Sequence, residues 1–224
     1  MRNLLWVAAV AALLLVAGRS SAQLVTYDFE GGTDQGWGHK FADDASESFP
    51  IENVAGSNRM RVLRNGDFQE ADRSTGNPAD PMFQSLLAAS ANEAAYVISY
   101  DYRIDTSAFG TGAGTFLQVG TYVNTGSGYY KQNFDTPKEL ELNAAQLASG
   151  QVFSGTVTQT LAAKGFDTPA AENFFRLGLI INGDGANQAV YFDNISVRPV
   201  PEPATFAALA LALPALMIRR RRRA

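Results

Sequence analysis

The sequence predicts an all-β protein, a two-sheet β-sandwich of jelly-roll type, flanked by an N-terminal signal peptide and a short C-terminal hydrophobic helix. Three observations lead there. Apolar and polar residues alternate with a period of two in run after run. Clusters of Gly, Asn and Asp separate those runs at irregular intervals. Helix patterns are few and short, so the core has to be made by sheets.

The elements follow in chain order. Val25, Tyr27 and Phe29 alternate with Thr26, Asp28 and Glu30, and Met60 and Val62 alternate with Arg59 and Arg61. From Tyr96 to Ile104 the even positions Tyr96, Ile98, Tyr100, Tyr102 and Ile104 form one apolar face, interleaved by Ser99, Asp101 and Arg103. Phe116 to Val123 and Phe174 to Ile181 are apolar on both faces, as central strands are, and Val190 to Val197 closes the set. Tyr129 to Phe134 and Val152 to Leu161 add two more. Short helices are expected at Pro81 to Ser90 and at Leu142 to Ser149. Asp67 to Asp80, the most polar stretch, reads as one long loop, and Asn182-Gly183-Asp184-Gly185 reads as a hairpin turn.

Composition narrows the function classes. The whole chain has a net charge of −4, but residues 23–199 hold 11 Lys and Arg against 21 Asp and Glu, a net charge of −10. Such a body has no electrostatic footprint for nucleic acid. Cysteine is absent, which excludes thiol catalysis and cysteine metal sites. The 177 residues of the body suffice for one domain held by its core, or by core and metal.

Both extremities concern targeting. Residues 1–22 have the plan of a secretory signal peptide: Arg2, an apolar stretch from Leu4 to Ala17, and small residues Ser20, Ser21 and Ala22 before a cleavage point. Residues 200–224 carry Pro201-Glu202-Pro203, an apolar segment from Ala204 to Ile218, and the arginines Arg219, Arg220, Arg221, Arg222 and Arg223. Fifteen helical residues rise about 22 Å, a marginal span of a hydrocarbon core of about 30 Å, and the arginines hold that end on the cytoplasmic side. The three parts in this order resemble a PEP-CTERM sorting signal. The resemblance implies export by a Gram-negative bacterium, an inner-membrane intermediate, processing by an exosortase-type transpeptidase near Pro201-Glu202-Pro203, and a final place at the cell surface or in the exopolysaccharide matrix. An ordinary tail anchor differs only in keeping the tail.

The body has a second resemblance. Tyr27-Asp28-Phe29-Glu30-Gly31-Gly32, with Gly36-Trp37 soon after, and Tyr191-Phe192-Asp193-Asn194-Ile195-Ser196-Val197 are similar to the first and last strands of jelly-roll carbohydrate-binding modules and galactose-binding-like domains. In those families the terminal strands lie side by side and acids from each help hold a structural calcium ion. The resemblance therefore implies calcium ligands at Glu30 and Asp193, with a loop carbonyl near Gly32. Sugar contact calls for aromatic faces beside polar groups; Trp37, Tyr122, Tyr129 and Tyr130 are the candidates, while for Trp37 core packing is the competing role.

Catalytic patterns are missing. His39 is the single histidine and sits in a polar loop without a serine-nucleophile elbow or a paired metal-binding histidine. Glu139-Leu140-Glu141 is a close alternating pair of acids but lacks the spacing familiar from sandwich glycosidases. The primary reading is a non-catalytic protein of the cell surface or matrix; the alternative is a carbohydrate-binding module for matrix glycans, and the outlying one a polysaccharide-degrading enzyme.

Overall fold

The computed structural model describes residues 25–39, 47–64, 68–91, 95–125, 139–161 and 174–200. The signal peptide, the expected strand from Tyr129 to Phe134 and the tail from Pro201 onward lie outside the described residues. In chain order the strands are β1 (Val25–Tyr27), β2 (Gly38–His39), β3 (Glu47–Ser48), β4 (Ile51–Val54), β5 (Ser57–Arg64) and β6 (Phe68–Thr75). They continue with β7 (Tyr96–Asp105), β8 (Phe116–Thr125), β9 (Leu140–Asn143), β10 (Val152–Thr160), β11 (Phe175–Gly183) and β12 (Gln188–Pro199).

These strands make two antiparallel sheets. The first runs β10-β7-β12-β5-β4, with β1 also beside β12; the second runs β3-β2-β6-β11-β8-β9. The alternation of β7 does what its sequence dictates: Ile98, Tyr100 and Ile104 are buried between the sheets. In the second sheet Leu177, Leu179 and Ile181 of β11 face Val123, Thr121 and Val119 of β8, and all but Thr121 join the apolar core. Ile180 and Gly178, on the other side of β11, are buried too, which is why this strand reads as apolar on both faces.

Two expectations are corrected. The polar stretch from Asp67 to Asp80 is largely strand: β6 pairs with β11 from Phe68 opposite Asn182 to Thr75 opposite Phe175. Its interior position Ala71 is small, and Arg73 stays beside the core because Asp80 holds it at 2.8 Å and the Tyr27 ring lies 5.2 Å from its guanidinium carbon. Asp80 in turn feels burial first, which raises its pKa, yet the hydrogen bonds from Arg73 and the Met82 N–H hold it below the ordinary carboxylate value. His39, expected in a loop, belongs to β2 and pairs opposite Glu47 of β3.

Helix α1 (Pro81–Ala91) begins as its residues require. Pro81 fills the first turn, where no N–H is needed, and the Asp80 carboxylate accepts from the Met82 N–H at 2.8 Å. Its buried face, Met82, Phe83, Leu86 and Ala89, packs on β1, β12 and β11, so the helix bridges both sheets. The second expected helix shrinks to α2 (Ala144–Leu147), because Leu142, whose side chain is buried, belongs to β9; Asn143 and Gln146 form a reciprocal capping box.

The turn at Asp184-Gly185 docks on the chain entering β8. The Asp184 carboxylate accepts from the Thr115 N–H and hydroxyl, each at 2.6 Å, and from the Phe116 N–H at 3.1 Å, while the Ala186 N–H donates to the Gly112 carbonyl at 2.7 Å. Gly114 makes this possible: its φ is +80°, and a Cβ there would lie 2.4 Å from the Gly185 nitrogen.

Candidate functional site

The terminal strands do meet. β1 pairs with β12 from Val25 opposite Val197 to Tyr27 opposite Ile195, whereas β5 pairs with the same edge of β12 from Gln188 to Phe192. Between the two contacts β12 bulges, from Asp193 to Ser196, with Asn194 at φ +50°. Asp193 sits at this junction of three strands. Phe29, at φ +53°, and Gly32, at φ +68° with its N–H donating to the Phe29 carbonyl at 2.8 Å, turn the chain after β1 and bring Glu30 to the same place.

Ser57, at the start of β5, stands between the two acids. Its hydroxyl oxygen is 2.8 Å from Glu30 Oε1 and 2.6 Å from Asp193 Oδ2. A hydroxyl carries a single hydrogen, so it serves one of these carboxylates and leaves the other facing an oxygen lone pair. Asp193 is buried, and that burial pushes its pKa up despite the bonds from Ser57 and the Asn194 N–H. Two carboxylates and a hydroxyl oxygen form an all-oxygen donor set of the kind that suits a hard cation, with the Arg59 charge close enough to act on Asp193. Ser57 itself is missing from the sequence reading, since nothing near it in the chain signals that it will lie between residues 30 and 193.

Two candidate sugar platforms are corrected. Trp37 is 1% exposed and packs edge-on against Tyr27 at 5.5 Å, so neither ring face is open to a ligand. Tyr122 lies on the outer side of the second sheet, outside the apolar core, with its ring laid over Gly178 and its hydroxyl donating to Glu70 Oε2 at 3.2 Å. It is 2% exposed, and burial foremost, then the nearby acids Asp72 and Glu70, raises its pKa. Tyr129 and Tyr130 lie outside the described residues. The pair Glu139 and Glu141 is divided: Glu139 accepts from the Thr121 N–H and hydroxyl and from Tyr100, while Glu141 accepts from Gln118. Both acids serve the fold.

An open groove of about 320 Å³ crosses the outer face of the first sheet. Its floor is a cross-strand row in which Tyr191 of β12 stands opposite Arg103 of β7 on one side and opposite Arg61 of β5 on the other. The Tyr191 hydroxyl donates to Glu52 Oε2 at 3.1 Å, and Glu52 also lies 3.8 Å from Arg61 Nε. Burial and the Glu52 bond raise the Tyr191 pKa, which keeps the phenol neutral. The groove is an aromatic ring, half-buried and held at its hydroxyl, with guanidinium groups to either side. Tyr191 was within reach of sequence reasoning, because it is out of phase with the inward Val190 and Phe192. Its two arginine neighbours were not, since only the strand register assembles them.

No family model and no curated protein matches the chain. Among solved structures it is similar to a carbohydrate-binding module specific for non-crystalline cellulose, CBM28, with a TM-score of 0.50 and 18% identity over 77% of this chain and 91% of that one. A mannohexaose complex of CBM27-1 from Caldicellulosiruptor saccharolyticus gives a TM-score of 0.46 at 13% identity, covering 79% and 97%. The CBM22-1 xylan-binding domain from Paenibacillus barcinonensis gives 0.45 at 12%, covering 80% and 95%. At such identities the likeness to CBM28 shows a shared β-sandwich fold.

Proposed function

We propose that this chain is an exported, non-catalytic carbohydrate-binding protein, placed at the cell surface or in its polysaccharide matrix by the signal peptide and the PEP-CTERM-like tail. One observation carries the binding part: the groove over Tyr191, where a half-buried ring lies beside fixed polar groups. Saccharides are bound by such a pairing, the ring taking the C–H face of a pyranose and the polar groups its hydroxyls. Its volume of about 320 Å³ is at the small end of ligand sites, which run from about 300 to 1,000 Å³, so it suits a short stretch of a polymer rather than a whole oligosaccharide. The CBM28 fold agrees with this reading, as do the structural roles of Glu139 and Glu141. The routing rests on residues 1–22 and 200–224 and on the exosortase resemblance; the mass of the protein recovered from cells checks both cleavages at once.

Binding is tested by retention of the purified protein on insoluble and immobilised polysaccharides. The expected result is retention on at least one of them, reduced about tenfold or more by Tyr191→Ala, since a stacked aromatic contributes on the order of 1–3 kcal/mol. Absence of retention on every polysaccharide sinks the reading, and equal retention of the variant moves the site away from the groove.

A calcium ion belongs to the same proposal. Glu30 and Asp193 would hold it, with Ser57 and a carbonyl near Gly32 as neutral oxygens, and it would add to the positive charge that Arg59 brings near Asp193. No helix among the described residues is long and apolar enough to cross a membrane. A ligand at 100 times its dissociation constant stabilises the folded state by about 2.7 kcal/mol, or roughly 5–10 °C in Tm for a domain of this size. Calcium is expected to raise Tm by that order over chelator. Asp193→Asn is expected to abolish the difference while melting no lower than the unsubstituted protein in chelator, because it removes a buried charge. An unshifted Tm on adding calcium excludes the ion.

A further inference from the structure

Resting on the glycan-binding reading of the groove, the geometry points to a ligand class, and we propose that the site takes an acidic sugar, a uronate whose carboxylate is bound by Arg103. Several arginines of this protein make the case by contrast, although Arg59, which does not line the groove, also has a buried Nε without a hydrogen-bond partner among the described residues. Where arginine serves the fold, the chain supplies its acceptor: Arg64 donates to the Gly183 and Gly185 carbonyls, Arg73 to Asp80 and the Gln35 carbonyl, and Arg176 to Ser74, with Asp72 at 3.5 Å. Arg103 has no such acceptor. Among the described residues it makes no hydrogen bond and no ion pair, although its Nε is buried from solvent. A guanidinium offers five donors in a planar fork and accepts nothing, so what completes it must bring oxygen lone pairs in a plane.

The acids beside Arg103 make their hydrogen bonds elsewhere, to neutral donors, and so keep their charge; Asp105 accepts through Oδ1 alone and also lines the groove. Asp101, two residues before it on the same face of β7, accepts from Thr156 at 2.5 Å and from Asn194 at 2.8 Å. Asp105, two residues after it, accepts from the Ser107 N–H at 3.1 Å and hydroxyl at 2.5 Å. Glu52 is shared between Tyr191 and Arg61, so Arg61 is partly neutralised, and of the two arginines that line the groove Arg103 is the one without an ion pair. Tyr191 lies directly opposite Arg103, so a sugar ring stacked on the phenol would present a substituent toward that guanidinium.

The surrounding protein bears a net charge of −10 over residues 23–199, which repels acidic polymers at a distance. Screening confines that repulsion to about 8 Å at physiological salt, whereas the carboxylate and guanidinium act in contact. Binding is therefore expected to be selective for a uronate at the groove and poor for polyanions in general.

The experiment compares retention on polygalacturonate, on the same polymer with its carboxylates reduced to alcohols, and on dextran sulfate. The expected order is polygalacturonate first, by about tenfold or more over the reduced polymer, with dextran sulfate weak. Arg103→Gln should remove that preference while leaving Tm unchanged. Arg103→Lys, which keeps the charge and loses the fork, should recover only part of it. Equal binding of polygalacturonate and its reduced form overturns the uronate proposal and leaves glycan binding standing. Binding of neither overturns the uronate proposal, and the glycan-binding reading falls with it only where every other polysaccharide fails as well; dextran sulfate retained as well as polygalacturonate, with or without Arg103, shows mere ion exchange and overturns the proposal.

Discussion

Trp37→Ala is expected to lower stability by about 3–5 kcal/mol, the usual consequence of emptying a large aromatic site in a packed core. For a domain of this size that is a fall in Tm of roughly 6–20 °C. Trp37 is 1% exposed, its ring is edge-on to Tyr27 at 5.5 Å, and that tyrosine in turn lies under Arg73, so the cavity opens beneath the ion pair between Arg73 and Asp80. Trp37→Phe should lose far less, about 1.5 kcal/mol at most, because it keeps a ring and removes an indole N–H that is buried without a partner. Thermal melts and polysaccharide retention on both variants distinguish the two roles of this residue. If Trp37→Phe melts normally yet loses retention, the tryptophan is a sugar platform and its assignment to the core is wrong.

Gly114→Ala should cost about 3 kcal/mol, far more than one methyl group ordinarily does. Part is the left-handed backbone at φ +80°, which disfavours any side chain by roughly 1–2 kcal/mol. The rest is overlap: the new carbon would stand 2.4 Å from the Gly185 nitrogen and from Asp184 Oδ1, and the backbone of a docked turn has nowhere to retreat. Displacing the turn also breaks the bonds from Thr115 and Phe116 to Asp184. Gly31→Ala is the matched control, since nothing lies within 4 Å of a Cβ there, and its change should stay within about 0.5 kcal/mol. Urea titrations of the two variants read the contrast directly, and equal midpoints would disprove the docking of the turn.

The strands that were legible in the sequence are those whose burial is one-sided or complete. β7 shows a polar and an apolar face, and β8 and β11 show apolar residues throughout, each a direct imprint of position in a sheet. β6 hid because its place in the sandwich is kept by partners far along the chain: Arg73 is tolerated beside the core through Asp80 and the Tyr27 ring, and a local pattern has no access to either. The aromatic candidates failed for a related reason. Trp37 and Tyr122 both sit among glycines, and that composition suits a buried ring over Gly178 as well as an exposed platform; only depth separates the two. The meeting of Glu30 with Asp193 was foreseeable from the pairing of terminal strands, but Ser57, which joins them, came from a third strand.

β12 is the last strand among the described residues and lies inside its sheet rather than at the rim, with β7 on one side and β5, then β1, on the other. The first sheet therefore cannot close until residues 188–199 are in place. Tension entering at Val200, whose N–H donates to the Ala95 carbonyl at 2.7 Å, runs along β12 and loads ladders on both flanks in shear, so their bonds must fail together rather than one by one.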